Sequence, residues 1–289
     1  MSVKLGGKIA EGGCAEVFEW GEGKIVKLAK PNTNETAIQA EWRHSRIAKE
    51  CGLPVPDTFD LVELDGRPGI VFEHIEGESL IKRFVGRGTT ALQSGFDQPT
   101  SEFDDHLGAQ VTANLLFQVH QHSVSNMPSQ RENITYDIRR TSYLTEAEQT
   151  VIIHHMEQLP RKQQLCHGDP NPGNILLREL LEPVLIDWNN ASIGNPEADL
   201  AEYILMIQFA ILPSYLPKEL NKVLDTMREA TIQAFIAEYE RLSGIGYHDI
   251  EPWLVVIAAR KLSADGISED EKSLLMKEIR RRLADLEGS

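Results

Sequence analysis

Cysteine is scarce in this chain, and the three present, Cys14, Cys51 and Cys166, are odd in number and show no CxxC spacing. That excludes a disulfide scaffold and points to a reducing compartment, the cytoplasm. Long apolar runs are missing too, and none approaches the length that spans a bilayer. The opening Met-Ser-Val-Lys-Leu-Gly-Gly-Lys has neither the apolar core nor the cleavage site of a secretion signal, so no membrane partner is expected and the Asn133-Ile134-Thr135 sequon is a chance match. Positive charge is in deficit: Lys and Arg number 29 against 44 Asp and Glu, a net charge of −15. Such a balance repels a nucleic-acid backbone and attracts a cationic small molecule. Internal repeats and low-complexity segments are lacking. What remains is a globular composition, 41% hydrophobic over 289 residues, enough for one large domain or two lobes.

The chain is organised around residues 164–190. Apolar Leu165-Cys166 leads into a polar turn with Asp169 and Asn174; Ile175-Leu176-Leu177 follows, then a charged connection, then Val184-Leu185-Ile186 ending on Asp187. The pattern predicts strand, loop, strand, turn, strand, with three oxygen-bearing side chains at strand ends or in the loop. Such a set suits phosphoryl transfer, where the protein positions reactants and magnesium bridges the phosphates. Asp169 is the candidate to face an attacking hydroxyl, and Asn174 and Asp187 supply the hard oxygen ligands that magnesium takes. Pro170 and Pro172 stiffen the loop, and Gly173 permits the close turn into the next strand.

His167-Gly168-Asp169-Pro170-Asn171-Pro172-Gly173-Asn174, then Ile186-Asp187-Trp188, then Gly194-Asn195-Pro196-Glu197-Ala198-Asp199-Leu200-Ala201, closely resembles the aminoglycoside phosphotransferase and choline kinase-like family, a small-molecule branch of the protein-kinase-like fold. The resemblance is tight over 167–201 and looser elsewhere. It implies a two-lobed α+β fold: a small antiparallel-sheet lobe for nucleotide over residues 1–76, and a larger, mainly helical catalytic and acceptor lobe over 77–289. It further implies that His167 steadies the catalytic loop and that Asp199, also a natural helix N-cap, braces it. Two positions depart from the family pattern. Many members carry acidic residues where Asn189 and Asn195 stand, which bears on the rim of the acceptor pocket.

The N-terminal third reads as a three-strand meander over 3–10, 17–20 and 24–28, joined by Gly12-Gly13 and by Gly21-Glu22-Gly23. A glycine pair alone marks a turn; the resemblance lays this one over phosphates. Lys27 alternates with apolar Val26 and Leu28, and the resemblance makes it the lysine that pairs with the phosphates. A helix from Asn34-Glu35 to about Cys51 follows, with Glu41 as the partner implied for Lys27 and Glu35 as the alternative. Phe59–Leu64 and Pro68–Ile75 form a hairpin around Asp65-Gly66. By resemblance its end is the hinge, where the Glu73 carbonyl and the Ile75 amide grip adenine while the Glu73 side chain does nothing.

From Ser79 the pattern turns helical, residues 86–101 read as a flexible loop, and apolar positions recur at helical spacing from Leu107 to Val119. Helices are expected over 200–212, 218–242, 250–262 and 269–286. His120 and His122 point apart, and adjacent His154 and His155 read as surface residues rather than ligands. Cys166 and His167 face opposite sides of a strand, so they form no thiol dyad. A protein kinase is disfavoured, because Gly168 stands where those enzymes carry Arg and too little chain separates Asp187 from the helix at Asp199 for a peptide-docking segment. A non-catalytic nucleotide-binding relative would ordinarily have lost one of Lys27, Asp169, Asn174 or Asp187. The reading is therefore an ATP- and magnesium-dependent kinase, with GTP as the alternative donor. Its acceptor is a small hydroxyl compound: an aminoglycoside, with Glu202 as an acidic pocket residue, or a metabolite such as choline, homoserine or a sugar.

Overall fold

The structure, a computed structural model, describes residues 5–93, 106–211 and 216–287. It forms two compact units, one of residues 1–79 with 174–191 and the other of 80–173 with 192–289. In the first, β1 (Lys8–Glu11), β2 (Ala15–Glu19) and β3 (Lys24–Ala29) make the meander; α1 (Glu35–Glu50), β4 (Thr58–Leu64), β5 (Arg67–Glu73) and the short β6 (Glu78–Ser79) follow. The main sheet is antiparallel, in the order β1-β2-β3-β5-β4. Asp65 and Gly66 both have positive φ, 50° and 74°, which a two-residue hairpin matching strand twist demands. Alternation divides the strands between two faces: Val26, Leu28 and Val71 pack with Phe18, Phe59 and Val62 on one side, and Ala29, Ile70 and Phe72 with Ile38 and Trp42 of α1 on the other. Asn34 starts α1, its Oδ1 accepting from the Ala37 amide at 2.9 Å.

The chain continues through α2 (Leu80–Gln93), α3 (His106–His120), α4 (Gln130–Arg140), α5 (Glu146–Gln158) and β7 (Gln164–Cys166), and returns to the first unit with β8 (Ile175–Leu177) and β9 (Pro183–Leu185). There β8 lies between β6 and β9, antiparallel to both. The second unit is completed by β10 (Ser192–Gly194), antiparallel to β7, and by α6 (Pro196–Phe209), α7 (Lys218–Ser243), α8 (Tyr247–Lys261) and α9 (Glu269–Glu287). Its core is centred on α8, where every residue from Trp253 to Ala259 is buried, and on the tilted contact of Tyr203 with Phe235, ring centroids 4.1 Å apart. No described helix is long and apolar enough to cross a membrane.

The expected loop over 86–101 is corrected in its first half, since α2 runs to Gln93. Phe84 packs on Leu220 of α7, and the Thr89 and Thr90 hydroxyls bond the Val85 and Gly86 carbonyls one turn back, so loop-forming residue types are accommodated in a helix. Residues 94–101 lie outside the described residues. Asp199 does not cap α6: Asn195 and Pro196 begin that helix, leaving Asp199 inside its first turn. His154 is exposed, but His155 is half-buried and bonds the Pro252 carbonyl at 2.9 Å.

Phe235 has no exposed surface. Phe235→Ala should therefore destabilise the second unit by about 3–5 kcal/mol, lowering its urea midpoint followed by circular dichroism.

Candidate active site

In the first unit β3 brings the Lys27 ammonium 2.7 Å from Glu41 Oε1 and 3.0 Å from Asp187 Oδ1. Glu35 is engaged elsewhere, by Gln39 at 2.8 Å. Burial alone would lower the Lys27 pKa, but the Asp187 and Glu41 charges outweigh it and hold the ammonium protonated. Burial pushes Glu41 up to about 7 against the pull of Lys27, with the Asp187 charge adding to the rise. Asp187 itself sits at φ 65°, a left-handed conformation unusual for a residue other than glycine. The chain after it is pinned. The Trp188 indole donates to the Leu185 carbonyl at 3.2 Å, and His44 Nδ1 donates to the Trp188 carbonyl at 3.0 Å. Asn174 is buried, and its carbonyl accepts from the Ile186 amide at 2.9 Å, so a backbone bond joins the segments carrying Asn174 and Asp187.

The glycine turn is fastened from outside: the Asn32 amide donates to the Gly13 carbonyl at 3.3 Å and the Thr33 hydroxyl to the Cys14 carbonyl at 2.9 Å. Neither Gly12 nor Gly13 has positive φ; a Cβ on Gly13 would meet nothing within 4 Å, and one on Gly12 only the Ala15 carbonyl at 3.9 Å. Nothing in the fold of this unit requires glycine at either place. Ile75 is buried just beyond β5. The Glu73 side chain, expected to be idle, accepts from the Asp57 amide at 3.1 Å and from Arg178 at 2.6 Å.

In the second unit β7 delivers His167-Gly168-Asp169. Asp199 accepts from the His167 amide at 2.6 Å and the Gly168 amide at 2.9 Å. His120 Nε2 donates to Asp199 at 3.2 Å, while His120 Nδ1 accepts from the Tyr239 hydroxyl at 2.7 Å. Burial opposes the Asp199 anion, yet its bonds to His120 and the loop amides hold its pKa below the usual carboxylate value. Burial and the Asp199 charge keep Tyr239 protonated. Beyond left-handed Gly168, at φ 80°, the Asp169 amide donates to His167 Nδ1 at 3.3 Å. Asn171 donates to both Asp169 oxygens at 3.2 Å and accepts from the Gly173 amide at 2.7 Å. Asn171 was given no role from sequence, although its place two residues after an aspartate in a turn is a signal for side-chain bonding.

Asp169 and His167 thus belong to the second unit; Lys27, Glu41, Asn174 and Asp187 belong to the first. Cys166 is buried and its thiol is pushed up by burial and by Asp199 and Glu197, so no thiolate forms. Its sulfur, His120 and Asp199 lie within 4.8 Å of one another, but both Asp199 oxygens are committed to N–H donors. Glu202 is no free acidic pocket residue: it is 5% exposed and paired with Arg260 at 2.7 Å and Lys261 at 2.5 Å. Asn195 lies on no rim either. It is buried, and its amide donates to the Pro160 carbonyl at 3.0 Å, a bond an ionised aspartate could not make.

Residues 9–245 match the model of the phosphotransferase enzyme family, APH. The chain belongs to that family. The chain is 24% identical over 210 residues, 65% of its length, to acyl-CoA dehydrogenase family member 10 of Mus musculus, and it spans only 19% of that protein. Among solved structures it is similar to aminoglycoside-3'-phosphotransferase of type VIII, at 16% identity and TM-score 0.59 over 90% of this chain and 94% of that one. It is similar to a thermostable mutant of aminoglycoside phosphotransferase APH(4)-Ia in ternary complex with ADP and hygromycin B, at 13% identity and TM-score 0.64 over 96% and 92%. Choline kinase LicA from Streptococcus pneumoniae aligns at 15% identity and TM-score 0.62 over 98% and 94%. At such identities the likeness establishes the fold, and the chain has the two-lobed protein-kinase-like α+β fold expected from its motifs.

Glu202 resembles Asp199 in being held below the usual carboxylate value, burial being outweighed by Lys261 and Arg260. The stability both anions contribute is complete above the unfolded carboxylate value of about 4 and is lost as pH falls below it. Asp199→Asn should lower Tm at pH 7 by several degrees and flatten the fall of Tm between roughly pH 4 and 2. Thermal scans that give both proteins the same pH slope would refute the role assigned to the anion.

Proposed function

We propose that this phosphotransferase transfers the γ-phosphoryl group of ATP, with magnesium, to the hydroxyl of a small molecule. The observation that carries the reading is Lys27 held between buried Glu41 at 2.7 Å and Asp187 at 3.0 Å. An ion pair that serves stability alone needs one carboxylate. The second belongs to a side chain 38% exposed, which suits a site built to receive a divalent cation and phosphates. Asn174 and Asp187 would hold the metal through amide and carboxylate oxygens, the donor set magnesium favours. Bound there, magnesium would offset charge on the nucleotide's phosphates. The Gly12 amide is kept by the Ala15 carbonyl at 2.9 Å, and glycine at 12 and 13, unrequired by the turn itself, leaves the turn bare of side chains so that phosphates can approach its backbone closely. The Glu73 carbonyl and Ile75 amide are the adenine contacts in this reading, and GTP is the alternative donor.

Asp169 takes the hydroxyl proton as the acceptor oxygen bonds to phosphorus and the bridging oxygen departs with the nucleoside diphosphate. His167 serves through Nδ1, which holds the Asp169 amide at 3.3 Å, and Asn171 keeps the carboxylate aimed. A non-catalytic nucleotide-binding role is the rival from another class, but Lys27, Asp169, Asn174 and Asp187 are all present. A cationic acceptor, an aminoglycoside or choline, fits the net charge of −15. The neutralisation of Glu202 by Arg260 and Lys261 favours the second reading, a zwitterionic or neutral metabolite such as homoserine or a sugar. Three free cysteines fit the cytoplasm as the place of action.

The deciding experiment is turnover of Mg-ATP with aminoglycosides, choline, homoserine and simple sugars across a salt series. A cationic acceptor should show a KM that rises with salt while the KM for ATP changes less; no turnover with any of them would remove the kinase reading. With the acceptor that responds, Asp169→Asn should lower kcat about 10²-fold or more with little effect on ATP binding. Asp187→Ala should abolish the magnesium dependence of nucleotide binding seen by calorimetry, and an unchanged magnesium effect would mean that Asp187 is no ligand.

A further inference from the structure

The peptide unit joining Gly168 to Asp169 is held at both ends. Its N–H donates to His167 Nδ1 at 3.3 Å, and its carbonyl, on Gly168, accepts from Arg260 Nη2 at 3.0 Å. Arg260 comes from the last turn of α8, and no feature of the sequence around it marks it as part of the loop. Without a Cβ, and at φ 80°, Gly168 offers little resistance to rotation of the peptide that follows it. The Asp199 bonds to the His167 and Gly168 amides fix the chain before that peptide, not the peptide itself. The His167 bond holds its N–H at a long 3.3 Å, and the shorter bond on the carbonyl side completes the setting of its plane.

A purely structural account would make Arg260 the counter-ion of Glu202, which it meets at 2.7 Å. Lys261, however, already neutralises Glu202 at 2.5 Å and is itself buried. Arg260 Nε is buried and takes no hydrogen-bond partner, so the guanidinium is not placed to satisfy all its own donors. It is placed with Nη2 between Glu202 and the Gly168 carbonyl. Asp137 of α4 and Asp169 are the other carboxylates whose charges act on it.

We propose that Arg260 is a positioning residue for Asp169: by holding the Gly168 carbonyl it fixes the plane of the peptide that carries the aspartate, and so the direction in which the carboxylate meets an acceptor hydroxyl. The inference rests on the reading of Asp169 as the base. Glu202 and Lys261 are then the frame that aims Arg260, with α6 and α8 each supplying part of it.

The test uses the whole chain, with Mg-ATP and water as the acceptor, and compares Arg260→Gln, Arg260→Lys and the double variant Glu202→Gln/Arg260→Gln. Arg260→Gln should lower kcat for ATP hydrolysis about 10-fold or more while the KM for ATP stays within about 2-fold, and Arg260→Lys should recover part of the loss. Arg260→Gln leaves Glu202 paired with Lys261 and should keep most of its Tm, whereas the double variant, which also strips buried Lys261 of its partner, should lose Tm further and regain no kcat. Hydrogen exchange at the Asp169 amide in the nucleotide-free protein should quicken about 10-fold in Arg260→Gln and in the double variant. Full kcat in Arg260→Gln, recovery of kcat in the double variant, or unchanged exchange at Asp169 would reduce Arg260 to a counter-ion and overturn the proposal. Asp169→Asn separates the two readings: wild-type turnover in that variant removes the base itself, whereas its inactivity beside a fully active Arg260→Gln removes only the inference. If water is too poor an acceptor to give a rate, exchange at Asp169 decides alone.

Discussion

Asp199 is 1% exposed and nonetheless ionised, because two consecutive backbone amides and an imidazole N–H converge on it. A carboxylate removed from water is costly unless hydrogen-bonded, and here the donors are the backbone of the loop that bears Asp169. The stability of the anion and the shape of the loop are therefore one quantity. Protonating Asp199, or replacing it by an amide, would leave two buried N–H groups facing a poorer acceptor. His120 and Tyr239 extend the same constraint outward to α3 and α7: the tyrosine hydroxyl selects the imidazole tautomer whose proton Asp199 needs.

The first unit solves a different electrostatic problem. Its central lysine stands between two carboxylates, and Glu41 is displaced to about 7, chiefly because it has almost no solvent and further because the Asp187 charge lies near it. The left-handed backbone at Asp187 shows that the chain accepts local strain to present this carboxylate, and the fixed Trp188 carbonyl and indole hold it there.

Much of this was legible because the relevant signals are local. The Asp65-Gly66 turn, the alternation around Lys27, the Asn34 cap and the 167–174 motif each announce their structure within a few residues. The helices after Asp199 were legible through their apolar spacing. By contrast α4 and α5 were passed over although their caps are written in sequence: Ser129 accepts from the Glu132 amide, and Thr145 and Glu148 form a reciprocal box. The extent of α2 was hidden by glycines and threonines whose hydroxyls turn inward to the helix backbone. Asn171, Asn195, Glu202 and Arg260 were misread or unread because composition carries no information on partners distant in sequence; Arg260 is 92 residues from the carbonyl it holds. An acidic residue on a helix reads as a solvated charge until its buried cations are seen.

The first unit is discontinuous in the chain: β8 and β9, with Asn174 and Asp187, reach it only after residues 80–173 have been made. At ribosomal rates of about 5–20 residues per second that interval lasts roughly 5–20 s. During it the nascent five-stranded sheet and α1 carry Lys27 and Glu41 without Asp187, and β6 lacks the strand it pairs with. A ribosome-bound intermediate of this length should thus be a sheet awaiting its last hairpin, exposed to chaperone capture, and no chain stopped before residue 191 would contain the complete first unit.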